Sequence, residues 1–356
     1  MSFETKEEAI EAWNTWKGRY VAPSTELFRE CNPCNSCAKV MEGNRYNQPR
    51  DEELVGSTQM LPNGAFTTPW PLLSPNQAHA LKSEEFSEFK LQDVFALRAR
   101  WCSLFPSIIE YREQITQLLK DNDRENKLLN DKLLEWNSRL EELELPLFEH
   151  NDLRGINLGG LELAGEPYDG IWLRNIDLKF SELSLAQLNG ANLYNADLRA
   201  ITAMHGSFIH TISSLANFSH SFLSQSRFEL SDLNSANLDN SLCYKAQFDG
   251  ALLNNASICD AMLKNTSFKS IEFVDQGISK SKATSLIGLS WNVGTELDDS
   301  DLLTCGAVID DELKEYLSLD KVEQKKFLSR LYDSVQLKPG MFGVGIDIKA
   351  LFKKKS

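Results

Sequence analysis

An apolar residue recurs at every fifth position from Leu153 to Phe273 without a change of frame. Of the 25 positions in this frame, 21 are Leu, Phe or Ile. The residue two places earlier is Ala, Ser, Thr or Gly at 17 of them, and the residue two places later is Gly or Asn at 11. A five-residue period fits neither a helix nor a flat strand, because both scatter the apolar side chains over several faces. The backbone must therefore turn once per repeat, so that each central residue points into one interior.

The strings ANLYNADLRA, SDLNSANLDN and AQFDGALLNNAS resemble the A(D/N)LXX pattern of the pentapeptide-repeat family, over about a third of the chain. The resemblance implies a right-handed quadrilateral β-helix with four repeats per coil. It predicts an α+β chain in which this β-helix is flanked by helical N- and C-terminal regions. Residues twenty apart should then stack, so we expect an interior ladder of Tyr168, Leu188, Phe208, Phe228, Phe248 and Phe268.

The pattern divides the chain into four segments. They are an irregular region with a short helix and three cysteines (1–80), a helical, coiled-coil-like segment that caps the β-helix (81–147), the repeats (148–275), and a C-terminal cap with a helix near 310–334 and a basic tail (276–356). In the second segment we expect helices over 84–104 and 107–145, separated by Pro106. An amphipathic seam on the latter comprises Leu129, Leu133, Trp136, Leu140 and Leu143. This seam either packs on the first coil or joins two copies of the chain into a homo-oligomer.

Composition excludes several classes of protein. No run of 18 apolar residues is present, so no membrane span is expected, and the charged start of the chain does not resemble a signal peptide. Seven scattered cysteines do not resemble a secreted disulfide framework, which predicts a reducing, cytoplasmic location. The net charge of −14 argues against direct nucleic-acid binding, because phosphate binding needs a basic surface.

Cys31, Cys34 and Cys37 form a C-x2-C-x2-C cluster. Thiolates at this spacing can bind zinc or an iron–sulfur cluster, although no fourth ligand follows locally. The alternative is a set of free thiols in a protein without a cofactor. No Ser–His–Asp set, nucleophile elbow or phosphate-binding loop is evident, so the sequence predicts a protein that is not an enzyme.

The candidate partner-binding site lies on the outside of the repeats. The residue before each centre should point outward and is mostly polar, but Phe222, Leu242 and Met262 occupy that position twenty residues apart. They should form an apolar column, with Tyr244 on the same face. The column either binds a protein partner or is covered by the C-terminal segment of the same chain.

The leading hypothesis is a non-catalytic interaction scaffold that presents a rigid surface to a protein partner. The family resemblance implies a second hypothesis, since some pentapeptide-repeat proteins mimic DNA and bind bacterial DNA gyrase. The moderate charge of the repeats and the long unrelated N-terminal region count against DNA mimicry. A third hypothesis is a bacterial effector that acts on a host protein.

Overall fold

The protein combines short helices with a central stack of coils. Its computed structural model describes residues 54–56, 59–60, 66–67, 70, 72–105, 107–275, 278–292, 295–296, 302, 304–319, 322–323 and 326. The regular elements are β1 (Gln59–Met60), β2 (Phe66–Thr67), α1 (Pro75–Ala80), α2 (Leu91–Leu104), α3 (Ile108–Asp121), α4 (Lys127–Glu142), β3 (Ile271–Asp275), β4 (Ile278–Lys282) and α5 (Asp311–Ser318). Strands β1 and β2 pair antiparallel, as do β3 and β4. None of the helices in these ranges has the length and hydropathy of a membrane span.

Parallel bridges join the successive coils of the repeat segment. The bridges from Trp172–Asn192 to Gln247–Ser267 each join residues twenty apart. One coil therefore contains four repeats. The residue two places after most centres has a positive φ, and this includes bulky residues such as Leu185 and Leu215, both at 62°. A side chain in this conformation is strained unless its surroundings hold it there. Hydrogen bonds between coils provide that restraint at most of these corners, as from the N–H of Leu185 to the carbonyl oxygen of Met204 at 2.9 Å.

Aromatic rings fill one side of the interior. Phe208, Phe228, Phe248 and Phe268 stack in sequence with centroid separations of 4.8, 5.0 and 5.4 Å, which confirms the four-ring part of the expected ladder. Phe218 packs edge-on against two of these rings. Each buried ring of this size adds apolar stabilisation to the leucine-rich core.

Tyr168 does not belong to the interior ladder, and that expectation is wrong. One repeat leaves the first coil as a loop closed by an antiparallel bridge between Glu166 and Asp169, and the neighbouring bridges join residues 25 apart. Tyr168 lies outside, 40% exposed, and its hydroxyl donates to the carbonyl oxygen of Leu230 at 2.5 Å. The loop rests on Gly190, where a Cβ would lie 2.1 Å from the Glu166 carbonyl oxygen.

The hairpin β3–β4 interrupts the stack a second time. Phe273, the last residue of the five-residue frame, lies in β3 and faces His210, with ring centroids 6.4 Å apart. Beyond the hairpin the parallel pairing resumes, since Leu252 bridges Ser285, which in turn bridges Val308.

The helix expected over 107–145 is divided into α3 and α4, so the expectation of one continuous helix is wrong. The break contains Asn122 and Asn126, whose side-chain amides donate to the carbonyl oxygens of Trp172 at 2.9 Å and Arg174 at 2.8 Å. These carbonyl groups lie at the open edge of the first coil. The chain therefore leaves the helical conformation where it hydrogen-bonds to that edge.

The seam of α4 is used within the chain. Leu129, Leu133, Trp136 and Leu140 are buried, and Leu143 is exposed. The ring of Trp136 packs edge-on against Trp101 and Phe105, with centroids 5.7 and 5.5 Å apart. The four buried side chains are thus not presented to a second copy of the chain.

Four sequence predictions fall wholly or partly outside the described residues, and the first is the short helix of segment 1–80. Cys31, Cys34 and Cys37 lie outside them, as does the basic tail. The C-terminal helix begins as expected, since α5 starts at Asp311 with the side chain of Asp310 accepting from the N–H of Leu313 at 2.9 Å. This helix ends at Ser318, where Leu319 has an extended backbone, so the prediction of one helix as far as residue 334 is wrong. Much of the chain from 320 to 334 is outside the described residues.

Candidate functional site

The candidate site is one side of the stack, to which each coil contributes three outward positions. We call it the apolar face and define it by twelve residues: Thr202, Met204, His205, Phe222, Ser224, Gln225, Leu242, Tyr244, Lys245, Met262, Lys264 and Asn265. The central side chains behind it, such as Leu223 and Leu263, are buried in the interior. The outward positions are fixed by the alternation of the backbone about each buried centre.

All four residues predicted for partner binding lie on the apolar face. Parallel bridges place Phe222, Leu242 and Met262 on consecutive rungs, which are about 4.8 Å apart in such pairing. Phe222 and Leu242 are half-buried, Met262 is 43% exposed and Tyr244 is 38% exposed. The ammonium group of Lys245 lies 5.1 Å from the centroid of the Tyr244 ring. The column therefore becomes accessible toward the end of the stack that is distant from the helices.

Two acidic residues of the adjoining side, Asp177 and Asp197, form ion pairs. Lys179 Nζ lies 2.8 Å from Asp177 and 3.1 Å from Asp197. Arg199 in turn contacts Asp197 at 2.7 Å. Cations and carboxylates thus alternate along this side, and much of its negative charge is compensated locally.

Glu182 occupies the same position as Phe222 two coils earlier, yet it is buried rather than exposed to solvent as its polarity suggests. Its carboxylate accepts from the N–H of Ser184 at 2.8 Å. Burial raises the pKa of Glu182 to about 7, although the hydrogen bond with Ser184 and the positive charge of Arg98 oppose the rise. Sequence reasoning missed this site because the burial comes from packing that the five-residue period does not encode.

Replacing Glu182 by glutamine should remove a pH dependence of stability. Because the pKa is higher in the folded chain than the reference value of 4.5, this group favours folding at acid pH, and its contribution is lost as the pH rises through about 7. Between about pH 4.5 and pH 8, the free energy of unfolding of the wild type should fall by about 3 kcal/mol relative to Glu182→Gln. Urea unfolding at several pH values measures the difference. Glu162→Gln, an exposed glutamate before a centre of the first coil, is the control and should parallel the wild type.

The candidate metal ligands cannot be placed together, since all three cysteines lie outside the described residues. Within the described ranges, no three His, Cys, Asp or Glu side chains are grouped so that they could hold a metal ion.

Comparison with known proteins gives one match to a family. The family described as "Pentapeptide repeats (8 copies)" matches residues 170–200 and 214–242. No curated protein matches the chain significantly in sequence.

Several solved structures are similar to part of the chain. A pentapeptide repeat protein from the Arabidopsis thaliana thylakoid lumen is 21% identical, with a TM-score of 0.23, over 30% of this chain and 66% of that one. Rfr23 from the cyanobacterium Cyanothece 51142 is 22% identical, with a TM-score of 0.21, over 46% and 99% of the two chains. QnrB1, a plasmid-mediated fluoroquinolone resistance protein, is 17% identical, with a TM-score of 0.31, over 47% and 80%.

The family match falls within the stack of coils, whose buried centres recur at every fifth residue. The central segment of this chain consists of pentapeptide repeats.

Proposed function

We propose that the protein is a non-catalytic scaffold that binds a protein partner through the apolar face. The observation that carries the proposal is the column of Phe222, Leu242 and Met262 with Tyr244 beside it. A contiguous group of large apolar side chains at a surface is typical of a contact, whereas isolated ones are common everywhere. Pentapeptide-repeat proteins are generally structural or interaction proteins rather than enzymes, which agrees with this role.

The repeat segment suits this role because its surface is rigid. Each coil is hydrogen-bonded to its neighbours along its length, so outward side chains keep a fixed spacing. Binding to such a preorganised surface costs little ordering of the scaffold itself. We also infer the right-handed, four-sided winding of pentapeptide-repeat proteins for this stack, which a coil of twenty residues supports.

DNA mimicry toward a gyrase-like enzyme is the less favoured alternative. A mimic of DNA needs a run of carboxylates whose charge is available to the partner. On this chain Asp177 and Asp197, two of the acidic residues beside the apolar face, alternate with Lys179 and Arg199. Inhibition of DNA supercoiling by the purified protein, weakening steeply with salt, would reverse this preference.

The proposal is tested by placing a charge on the column. Met262→Asp should abolish recovery of the partner when tagged full-length protein is cross-linked in its own cells, because a carboxylate cannot be desolvated in an apolar contact. Leu242→Asp is a second variant on the same column. Gln247→Asp is the control. It places the same charge before a buried centre on the neighbouring side of the stack, so the partner should still be recovered. Circular dichroism and thermal unfolding confirm that each variant is folded, and a folded Met262→Asp that retains every partner contradicts the proposal.

A further inference from the structure

We propose that residues 335–356 of the same chain dock on the exposed part of the apolar face and compete there with the protein partner. This part of the face comprises Leu242, Tyr244 and Met262. The segment itself lies outside the described residues. The proposal rests on the proposed function and adds the regulation of its binding site.

The exposed part of the apolar face is short. Leu242 and Met262 lie on consecutive rungs, and a parallel bridge joins Met262 to Glu296, the next residue of the column. Glu296 is exposed and charged, so the apolar surface ends at Met262 in this direction. The rungs from Leu242 to Glu296 together span about 10 Å. A few large apolar side chains from one short segment are enough to cover a surface of this size.

Helix α5 brings the chain to the end of the stack that carries this surface. The ring of Tyr316 packs on Trp291, with centroids 4.4 Å apart. Glu296 of the column lies five residues after Trp291. Helix α5 ends at Ser318, and the 16 residues from 319 to 334 can span up to about 55 Å. The segment that follows can therefore reach the column.

The segment combines large apolar side chains with a basic end. It contains five lysines and one acidic residue, which gives it a formal charge of +4 in a chain whose net charge is −14. Its last three lysines are consecutive, at 353–355. Its large apolar side chains are Val335, Leu337, Met341, Phe342, Val344, Ile346, Ile348, Leu351 and Phe352. Burial of such side chains against an apolar surface is favourable, and the column offers that surface within reach.

The charges around the exposed part determine the direction of docking. Glu296 at the end of the column and Asp260 at the preceding corner are both exposed and negative. Lys245 and Lys264 stand beside the column and repel other lysines there. The uncharged stretch 340–346 should therefore lie along the column, with the three consecutive lysines toward the two carboxylates.

The covalent connection makes a weak contact effective. Because the segment belongs to the same chain, its effective concentration at the column is about millimolar. A partner that binds the apolar face must displace it, so the apparent affinity for the partner falls with the fraction of chains in which the face is free. The segment thus sets a threshold for partner binding.

Photo-cross-linking in the full-length chain tests the docking. Phe342 is replaced by p-benzoylphenylalanine, the purified protein is irradiated, and mass spectrometry locates the cross-link. We expect an intramolecular link to a peptide that contains Leu242 or Met262. Met262→Asp in the same protein should lower the yield of this link by about tenfold, because a carboxylate is not desolvated in an apolar contact. Gln247→Asp is the control and should leave the yield unchanged.

Recovery of the partner from cells tests the competition. Ile346→Asp/Ile348→Asp should release the segment and raise the recovery of the partner by about threefold or more. Gln336→Asp/Ser356→Asp adds the same charge to the segment but keeps its large apolar side chains, so it should leave the recovery unchanged.

The outcomes separate this proposal from the proposed function. A cross-link to another part of the chain, a cross-link to a second copy, or no cross-link overturns the docking. Unchanged recovery with Ile346→Asp/Ile348→Asp overturns the competition. In each of these cases, a recovery that Met262→Asp still abolishes leaves the proposed function in place. If a folded Met262→Asp retains every partner, the proposed function fails and the competition fails with it, even where the segment cross-links to the column.

Discussion

Replacing Phe228 by alanine is expected to lower the free energy of unfolding by about 3 to 5 kcal/mol. The ring is fully buried and lies between Phe208 and Phe248, with centroids 4.8 and 5.0 Å away, and Phe218 contacts its edge. The neighbouring rings are held by the hydrogen bonds between coils and cannot collapse into the cavity. The variant therefore loses both the transfer free energy and the packing on two faces. Urea unfolding followed by circular dichroism measures the loss.

Phe273→Ala is the matched control, because Phe273 belongs to the same five-residue frame but lies in the hairpin and is half-buried. Its loss should be about 1 kcal/mol. If Phe228→Ala fails to fold, Phe228→Leu, with an expected loss of about 1 kcal/mol, keeps the comparison possible. Equal losses at the two phenylalanines would show that the interior ladder does not carry the stability of the stack.

Replacing Arg98 by leucine should destabilise the protein by about 3 to 5 kcal/mol. The side chain is fully buried and donates to the carbonyl oxygen of Phe180 at 2.6 Å, to that of Leu72 at 2.5 Å and to Oε1 of Gln77 at 2.8 Å. Leucine leaves the carbonyl oxygens of Phe180 and Leu72 without this donor, at a cost of about 1 to 3 kcal/mol for a buried acceptor, whereas Gln77 Oε1 still accepts from the N–H of Ser74 at 3.1 Å. Burial lowers the pKa of Arg98 to about 10, so the guanidinium is charged at neutral pH. Differential scanning calorimetry and urea unfolding measure the effect.

Arg139→Leu, on the exposed surface of α4, is the control and should change stability by less than about 0.5 kcal/mol. Arg98→Lys keeps the charge but loses the forked geometry, so it should remain well below the wild type. If Arg98→Leu and Arg139→Leu had the same free energy of unfolding, the hydrogen bonds of Arg98 between α2 and the coils would not stabilise the protein.

The interior of the repeats could be predicted from the sequence because the buried centres are large apolar residues at every fifth position. Phe208 and Phe248 needed only the frame and the number of repeats per coil. The same reasoning failed for Tyr168. Its loop is one repeat long, so the five-residue frame continues unchanged on both sides of it. The sequence signal of this loop is the set of glycines Gly165, Gly170 and Gly190, because the loop approaches the stack more closely than a Cβ permits.

The candidate surface was predictable in position but not in exposure. The spacing of Phe222, Leu242 and Met262 sufficed to place them in one column. Their accessibility depends on what packs beside each coil, which a periodic sequence does not encode. Glu182 illustrates the point, because it shares the column and yet is buried. The break between α3 and α4 could not be predicted either, because Asn122 and Asn126 hydrogen-bond to residues about 50 positions further along the chain.

The parallel pairing of residues twenty apart also determines how the molecule responds to pulling. Parallel bridges join each coil to the coil before it and the coil after it. The N-terminal segment holds the first coils, through Asn126 to the carbonyl oxygen of Arg174 and Gln77 to that of Ala200. Mechanical load applied between the ends should therefore unravel the stack sequentially from its C-terminal end, as in other one-dimensional arrays. Each released coil adds about 70 Å of contour length, because an extended residue spans about 3.5 Å. A single-molecule force trace would show this as a regular sawtooth, with the last and strongest peaks from the coils that the N-terminal segment holds.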